Sequence, residues 1–215
     1  MPDSVPTTTT LLTVHDPSAT RSLGVPPEIM TGTLVQLLRT HFTDVANITD
    51  PALRDCLWVP GPATGIAIES IDQFTPTLIE TTPAIIIQDH AIQIARDGIA
   101  GLMQGYYSRD GQDRYCVRYN CSITCHCIAG ASKAAKKLAT EVMEELIMFS
   151  EPIRQSLGLI RFIVLSRDSP FILEESSQHT SVPITIAYQV LREWMIELQG
   201  PRIKRFLFDI KAHTY

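Results

Sequence analysis

The sequence has no long apolar run and no leader pattern. None of its apolar stretches approaches the roughly 20 residues that a membrane-spanning helix needs, and Met1–Thr10 lacks the basic-then-apolar order of a secretory signal. Cysteine is scarce and odd in number, at five residues, whereas a small secreted disulfide scaffold favours paired cysteines. We therefore expect a soluble chain without a membrane partner, which stays in a reducing compartment or leaves by cell lysis.

Basic residues are also fewer than acidic ones. The chain of 215 residues carries 18 Lys and Arg against 23 Asp and Glu, which gives a formal net charge of −5. A globally basic nucleic-acid binder would show its footprint in the composition, so this class is excluded. The length fits one globular domain with extensions, because a second full domain would leave both undersized.

Recognisable catalytic and cofactor-binding motifs are missing. The six histidines form no His-x-x-x-His pair, and no Gly-x-Ser-x-Gly turn accompanies them. The spacing of Gly98, Gly101 and Gly105 fits neither phosphate-binding loop pattern, and these glycines more simply let a strand bend or meet a neighbour closely. A triad of distant residues can be recognised only by its geometry. The sequence thus predicts neither an enzyme nor a bound cofactor.

Four cysteines gather in one segment, at Cys116, Cys121, Cys125 and Cys127, with His126 among them. Thiolates are good zinc ligands, but structural zinc sites use Cys-x-x-Cys turns, and these residues lie along one alternating segment. Residues 125 and 126 of a strand point to opposite faces, so they cannot share an ion. We therefore interpret the cysteines as core residues and expect no metal, since free cysteine is among the most buried residue types.

The two ends of the chain differ in composition from the middle. Residues 1–24 are rich in Thr, Pro and Ser with one apolar pair, too little to offset the entropy of ordering, so we predict a flexible N-terminal arm. An arm that orders against a neighbouring subunit is the sharper alternative. Residues 200–215 form a basic C-terminal tail that includes Phe206 and Phe208. It is interpreted as a frayed terminus, as a docking element for a partner subunit, or as a DNA contact that the net charge opposes.

Residues 25–199 carry the periodic patterns of one domain with two main helices. Apolar residues at three- and four-residue spacing, from Ile29 onward, predict a helix that starts at residues 26–28 and ends near residues 42–45. The best helix is predicted from an N-cap at Ser132 to about Phe149, with a further turn over residues 153–157. Its buried side is predicted to include that phenylalanine, and its Lys and Glu residues are assigned to the solvent side. The solvent-side residues are Lys133, Lys136, Lys137, Glu141, Glu144 and Glu145.

Alternating and β-branched runs predict the strands of this domain. Four prolines make residues 47–82 an irregular insertion with one short strand or hairpin, from the alternating run at residues 65–71. An Asp-Gly turn over Ser108–Arg114 predicts a long hairpin with one dry face. The last run exceeds the usual strand length, so we expect a bend or a break near Arg192-Glu193. The predicted strand segments are residues 84–87, 99–107, 114–128, 159–165, 171–173 and 181–198.

This order of elements predicts an α+β fold with a mostly antiparallel sheet, helices packed on one face and extended terminal arms. The stretch from about Pro83 to Leu198, a little over half the chain, resembles the neck and tail-completion proteins of tailed bacteriophages, especially the tail terminator group. The segments that carry the resemblance are the hairpin leading into Cys121–Gly130, the helix Ser132–Phe149, Leu157–Phe162, Phe171–Glu175 and Val182–Tyr188, with Trp194 beyond.

The resemblance implies a structural virion protein that forms a homo-hexameric ring, caps the tail tube and joins it to the head connector. In contractile tails such a ring also touches the sheath. It implies a virion location in the tail and neck after assembly in the host bacterial cytoplasm, with DNA only as passing cargo and no catalytic residue to carry over. Another neck, connector or baseplate subunit, and a small enzyme with an unmarked site in residues 47–82, stay open as alternatives.

Contacts between subunits are expected from the elements most free to reach a neighbour. One is the turn of the long hairpin, with Arg109, Asp110 and Gly111. The others are the Thr- and Pro-rich N-terminal arm and the C-terminal tail, where Phe206 and Phe208 have no reason to face water.

Overall fold

The computed structural model describes residue 26 and residues 28–61, 63–73, 83–95, 104–107, 112–173 and 176–197. Three helices and one sheet of eight strands make up this part of the chain. The helices are α1 (Glu28–Thr43), α2 (Ser132–Met148) and α3 (Ser150–Ser156). The strands are β1 (Ala67–Ser70), β2 (Ala84–Asp89), β3 (Gln93–Ile94), β4 (Gln104–Tyr107), β5 (Gln112–Ala129), β6 (Arg161–Arg167), β7 (Phe171–Leu173) and β8 (Ser176–Glu197).

The sheet has the order β1-β2-β5-β8-β6, with β3 and β4 also on β5 and β7 also on β8. β1 and β2 run parallel, whereas the other pairs are antiparallel, so the predicted α+β class and mostly antiparallel sheet are confirmed. β5 and β8 pair without a register shift from Gln112 opposite Glu197 to Ala129 opposite Thr180. The expected break near Arg192-Glu193 is wrong, because β5 supplies hydrogen-bond partners along that whole length.

The helices lie on one face of the sheet, as predicted. α1 packs on β1 and β2, α2 on β5, β8 and β6, and α3 on β6. Alternation along the strands turns one parity toward these helices, and the resulting apolar burial stabilises the layer. No helix within the described residues is long and apolar enough to cross a membrane. The largest fully buried side chains are Met30, Leu34, Leu38, Phe42, Ile66, Ile68, Ile85, Ile87, Ile123, Leu138, Leu146 and Ile184.

The cysteines of β5 belong to this core, which confirms the interpretation made from their spacing. Cys121, Cys125 and Cys127 are buried, and all three are members of the main apolar cluster. Burial raises the pKa of the Cys125 thiol to about 12. It also raises the pKa of Cys127 well above its usual value, and the neighbouring Cys125 adds to the effect. The side chain of Cys116 lies outside the described set.

The insertion at residues 47–82 is as irregular as its prolines predict. Its described part contains short 3₁₀ turns and the single strand β1, which confirms the short strand expected near residues 65–71. Two turns begin at aspartates, because the Asp44 and Asp50 carboxylates accept the amide hydrogens of Ala46 and Ala52 at 2.9 Å. Gly65 allows a close backbone approach, since a Cβ there would lie 2.6 Å from the Asp55 carbonyl oxygen.

Several helix details differ from the prediction. Ser132 is the first helical residue, and Ala131 holds the N-cap position without a side-chain hydrogen bond, so the predicted cap is wrong. Ile29, at 49% exposure, and Phe149, at 36%, are not buried, because each lies at a helix end beyond the layer that packs on the sheet. The solvent-side assignment fails for Glu141 and Glu145, which are buried because they meet a histidine of α1.

Candidate functional site

The predicted contact residues Arg109, Asp110, Gly111, Phe206 and Phe208 lie outside the described residues, as do both predicted terminal arms. The strands that flank the hairpin turn are described. β4 pairs antiparallel with β5, and Tyr107 lies opposite Asp113. An antiparallel hairpin around the Asp-Gly turn is therefore confirmed over 104–107, whereas residues 99–103 of the predicted strand and the turn itself lie outside the described part.

The β5–β8 pair is much longer than the helices that cover it. Its 18 residue pairs span about 60 Å at roughly 3.3 Å per residue, whereas the 17 residues of α2 span about 26 Å at roughly 1.5 Å each. Along the pair, the main apolar cluster extends to Tyr119 and Val190. We use the name distal ribbon for β4 (104–107), residues 112–116 and residues 193–197, where the strand pairing continues beyond these two residues.

The distal ribbon is three strands wide, because β4 and β8 flank this part of β5. Its sequence contains three of the six tyrosines and one of the two tryptophans, together with Arg114 and Met195. Tyr, Trp, Arg and Met are the residue types enriched where proteins contact one another. The backbone register sets Tyr115 opposite Trp194 and Tyr106 opposite Arg114. This ribbon is the strongest candidate for an interaction surface.

Both lateral edges of the sheet are poorly suited to adding another strand. At the β1 edge, the Arg39 guanidinium donates from Nε to the Ile68 carbonyl oxygen at 3.0 Å and lies 5.0 Å from the centre of the Trp58 ring. At the other edge, β6 has a bulge at Leu165, where the pairing passes from Val164 to Ser166. Bulges and charged side chains blunt an edge against strand addition.

An exposed apolar patch accompanies the second edge. Leu165 of β6 is 59% exposed and Ile172 of β7 is 65% exposed. β6 and β7 both pair with β8 and lie in line along the same side of it. Exposed large apolar residues of this kind mark surfaces that meet other proteins. This patch is a second, smaller candidate contact surface.

A buried histidine joins the two main helices. His41 of α1 places Nε2 3.1 Å from Glu141 Oε1 and Nδ1 3.0 Å from Glu145 Oε2. Glu141 also accepts the backbone N–H groups of Thr49 at 2.8 Å and Asp50 at 3.1 Å. Burial raises the pKa of Glu145, and His41 partly opposes that shift. The cluster therefore fastens α1 and the 3₁₀ turns after it to α2.

A cleft of about 400 Å³ opens beside this cluster, lined in part by Pro51, Thr140 and Glu144. At its wall the Lys137 ammonium lies 2.8 Å from Asp50 Oδ2. Hydrogen bonds from Lys137 and from the Ala52 amide lower the pKa of Asp50. Glu141 also lines the cleft. Its oxygens already lie within hydrogen-bond distance of three nitrogen atoms, so this carboxylate has a structural role.

The face of the sheet opposite the helices carries a polar network that includes a serine–histidine contact. Ser181 Oγ lies 3.5 Å from His126 Nδ1, and His126 Nε2 lies 3.2 Å from Gln88 Oε1. Burial, and then the charge of His90, lower the pKa of His126. Ser181 is fully buried, and the second nitrogen of the imidazole meets an amide where a triad has a carboxylate. The Ser181 hydroxyl is therefore not accessible to a substrate, and Gln88 stands where a carboxylate would orient the His126 imidazole. The pair is not arranged as a catalytic nucleophile and base.

Within the described ranges, no group of three or more His, Cys, Asp and Glu side chains is arranged to bind a metal ion. At His41 the geometry explains this, because its two nitrogens face different carboxylates and the three groups do not converge on one point. Comparison with known proteins adds no identification: no protein-family model matches the chain, and no curated protein matches its sequence.

Proposed function

We propose that this chain is a structural protein of tailed bacteriophage virions, a tail terminator whose copies form a six-membered ring. In this role the ring caps the tail tube and joins it to the head connector, and in contractile tails it also meets the sheath. The observation that carries the proposal is the β5–β8 ladder, whose 18 residue pairs continue through the distal ribbon and span more than twice the length of α2.

The physical argument starts from the stability of the ribbon. An antiparallel ribbon needs a packed apolar face to be stable in water, and a neighbouring molecule can supply part of that packing. A ribbon that meets a different surface on the next copy makes a head-to-tail contact, and such contacts close into rings when the rotation allows. The three tyrosines, the tryptophan and the single arginine in its sequence suit that contact. The patch at Leu165 and Ile172 is a candidate for the complementary surface.

The net charge of the chain is compatible with DNA that passes through the ring without being retained. The formal net charge of −5 disfavours retention of a phosphate backbone, because Lys and Arg contacts supply most non-specific affinity for DNA. A subunit that lines a channel benefits from this weak attraction. Uncharged polar pairs on the sheet face opposite the helices, such as Gln189 Nε2 donating to Asn120 Oδ1 at 2.9 Å, are compatible with such a lining.

The experiment is a capping assay with purified full-length chain and tail tubes assembled without a terminator. We expect electron microscopy to show a ring at one end of each tube, and expect the Trp194→Glu variant to leave the ends bare. Rings that bind purified connector but never tube ends would favour a different neck component. A chain that binds neither tubes nor connector would contradict the proposal.

A small enzyme is the second candidate, and one observation favours it. The cleft beside Asp50 and Lys137 lies partly in the insertion where an unmarked active site was expected. Pockets that combine carboxylates and an ammonium group can bind polar small molecules. A metabolite that protects the full chain thermally, and loses that effect in a Lys137→Met variant, would favour this function. Thermal protection by no metabolite would leave assembly as the better account.

A further inference from the structure

The His41 cluster fixes where one proton must be, and this conclusion does not depend on the proposed assembly role. Glu141 receives two backbone N–H groups, which are donors at every pH, at 2.8 Å from Thr49 and 3.1 Å from Asp50. Each of the two Glu141 carboxyl oxygens thus already accepts one hydrogen bond from the backbone. His41 Nε2 lies 3.1 Å from this carboxylate, so Nε2 must carry hydrogen and donate to Glu141.

The other nitrogen of the ring faces a second carboxyl group. His41 Nδ1 lies 3.0 Å from Glu145 Oε2, and both side chains are buried. One proton between these two atoms makes a hydrogen bond, whether it resides on the imidazole or on the carboxyl group. Without that proton, two acceptors face each other at 3.0 Å in a poorly solvated place, which is unfavourable. The contact therefore requires one shared proton.

We infer that His41, Glu141 and Glu145 form a one-proton latch that holds residues 45–53 against α2 at neutral and acidic pH and releases them at alkaline pH. Loss of the shared proton pushes the imidazole away from Glu145. Because the same ring donates to Glu141, the displacement weakens the group that holds the Thr49 and Asp50 amides. The two 3₁₀ turns at Val45–Asn47 and Pro51–Leu53 then lose their attachment to α2.

The charged groups around the latch do not replace this proton. From the segment after α1, Asp50 is paired with Lys137 of α2, and Asp44 is engaged in capping the Ala46 amide. From α2, Glu144 is exposed and lines the cleft. From α1, Arg39 is directed to Ile68 and Trp58. The raised pKa of Glu145 has the matching sign: the folded chain binds a proton that the unfolded chain releases, so stability falls as pH rises through that range.

The test is amide hydrogen exchange of residues 45–53 in the full chain at pH 6 and pH 9, corrected for the intrinsic effect of pH. We expect protection of the Thr49 and Asp50 amides in the wild type to fall by about tenfold or more at the higher pH. In Glu145→Gln the amide group can donate to Nδ1 at either pH, so protection should stay level. Glu144→Gln removes the same charge one residue away and should behave like the wild type. Equal pH dependence in the wild type and Glu145→Gln would overturn the latch.

A second measurement needs no variant and stands if Glu145→Gln fails to fold. In ¹⁵N-histidine-labelled wild type, the His41 ring is identified through its contact with the Phe42 ring, 5.0 Å away between centroids. We expect Nε2 to carry hydrogen at both pH values, and the Nδ1 signal to shift as the shared proton leaves. A bare Nε2, or ring signals that do not change between pH 6 and pH 9, would contradict the inference.

Discussion

Tyr115 lies directly opposite Trp194 in the register of β5 and β8, four pairs beyond the point where Tyr119 faces Val190. The second pair belongs to the packed domain, and the first belongs to the distal ribbon. One uninterrupted ladder thus connects the core to the distal ribbon. Under the proposed function, this continuous pairing fixes the position of the contact surface relative to the core.

Substitution of Trp194 should separate assembly from folding. We expect Trp194→Glu to weaken contacts between copies by at least about 30-fold, since tryptophan at an interface commonly contributes about 2 kcal/mol or more. The backbone pairing of residue 194 with β5 does not depend on its side chain, so we expect the unfolding midpoint of the isolated chain to change little. Size-exclusion chromatography with light scattering measures the first effect and urea denaturation the second.

The matched control for Trp194→Glu is Val59→Glu. Val59 is 47% exposed and lies in the insertion, so the same charge is introduced at an apolar position away from the ribbon. We expect this variant to assemble like the wild type. If both variants dissociate, or if Trp194→Glu assembles normally, the ribbon is not the contact surface.

Gly65 should be the least replaceable described glycine. An added Cβ would lie 2.6 Å from the Asp55 carbonyl oxygen and 2.9 Å from the Leu57 amide nitrogen, and backbone atoms cannot rotate away as a side chain does. Gly65→Ala should therefore cost about 1–3 kcal/mol of unfolding free energy. Gly130→Ala is the control, because no atom lies within 4 Å of its Cβ position, and it should change stability by about 0.5 kcal/mol or less. Equal urea midpoints for the two variants would contradict the close approach.

The buried thiol of Cys125 should make the protein sensitive to alkali. Its pKa is raised to about 12, so above pH 9 the unfolded chain releases a proton that the folded chain keeps, and stability falls as pH rises. Between pH 8 and pH 10 this thiol should remove about 1.4 kcal/mol, a loss that Cys125→Ala escapes. Cys56→Ala is the control. Cys56 is only partly buried, so its removal should reduce the loss of stability between pH 8 and pH 10 by a smaller amount. Parallel pH profiles for the wild type and Cys125→Ala would refute this prediction.

Much of the fold follows from residue periodicity. The alternation from Cys121 to Cys127 predicts both a strand and the face that enters the core, because a strand with one dry face leaves a period of two in its sequence. The length of β8 is harder to predict, since a strand can exceed the usual limit only when another strand pairs with it. That partner, β5, is distant in the chain, because the paired residues are 51 positions apart at Ala129 and Thr180 and 85 apart at Gln112 and Glu197.

The His41 cluster is the site that sequence reasoning missed. Glutamate on a helix is normally exposed to solvent, so the sequence pattern assigns Glu141 and Glu145 to the solvent side of α2. A signal was present nonetheless. His41 follows Leu34 and Leu38 at seven and three residues, which places it on the buried stripe of α1, and the two glutamates are one helical turn apart. The hundred residues that separate His41 from Glu141 hide their contact from any local pattern.

The central claim is that copies of this chain join into a closed ring, and native mass spectrometry of the purified full-length protein tests it most directly. The account predicts one dominant species with six times the mass of a single chain, which the Trp194→Glu variant converts to single chains. A wild-type protein that keeps the mass of one chain at every concentration, in the presence or absence of tail tubes, would contradict it.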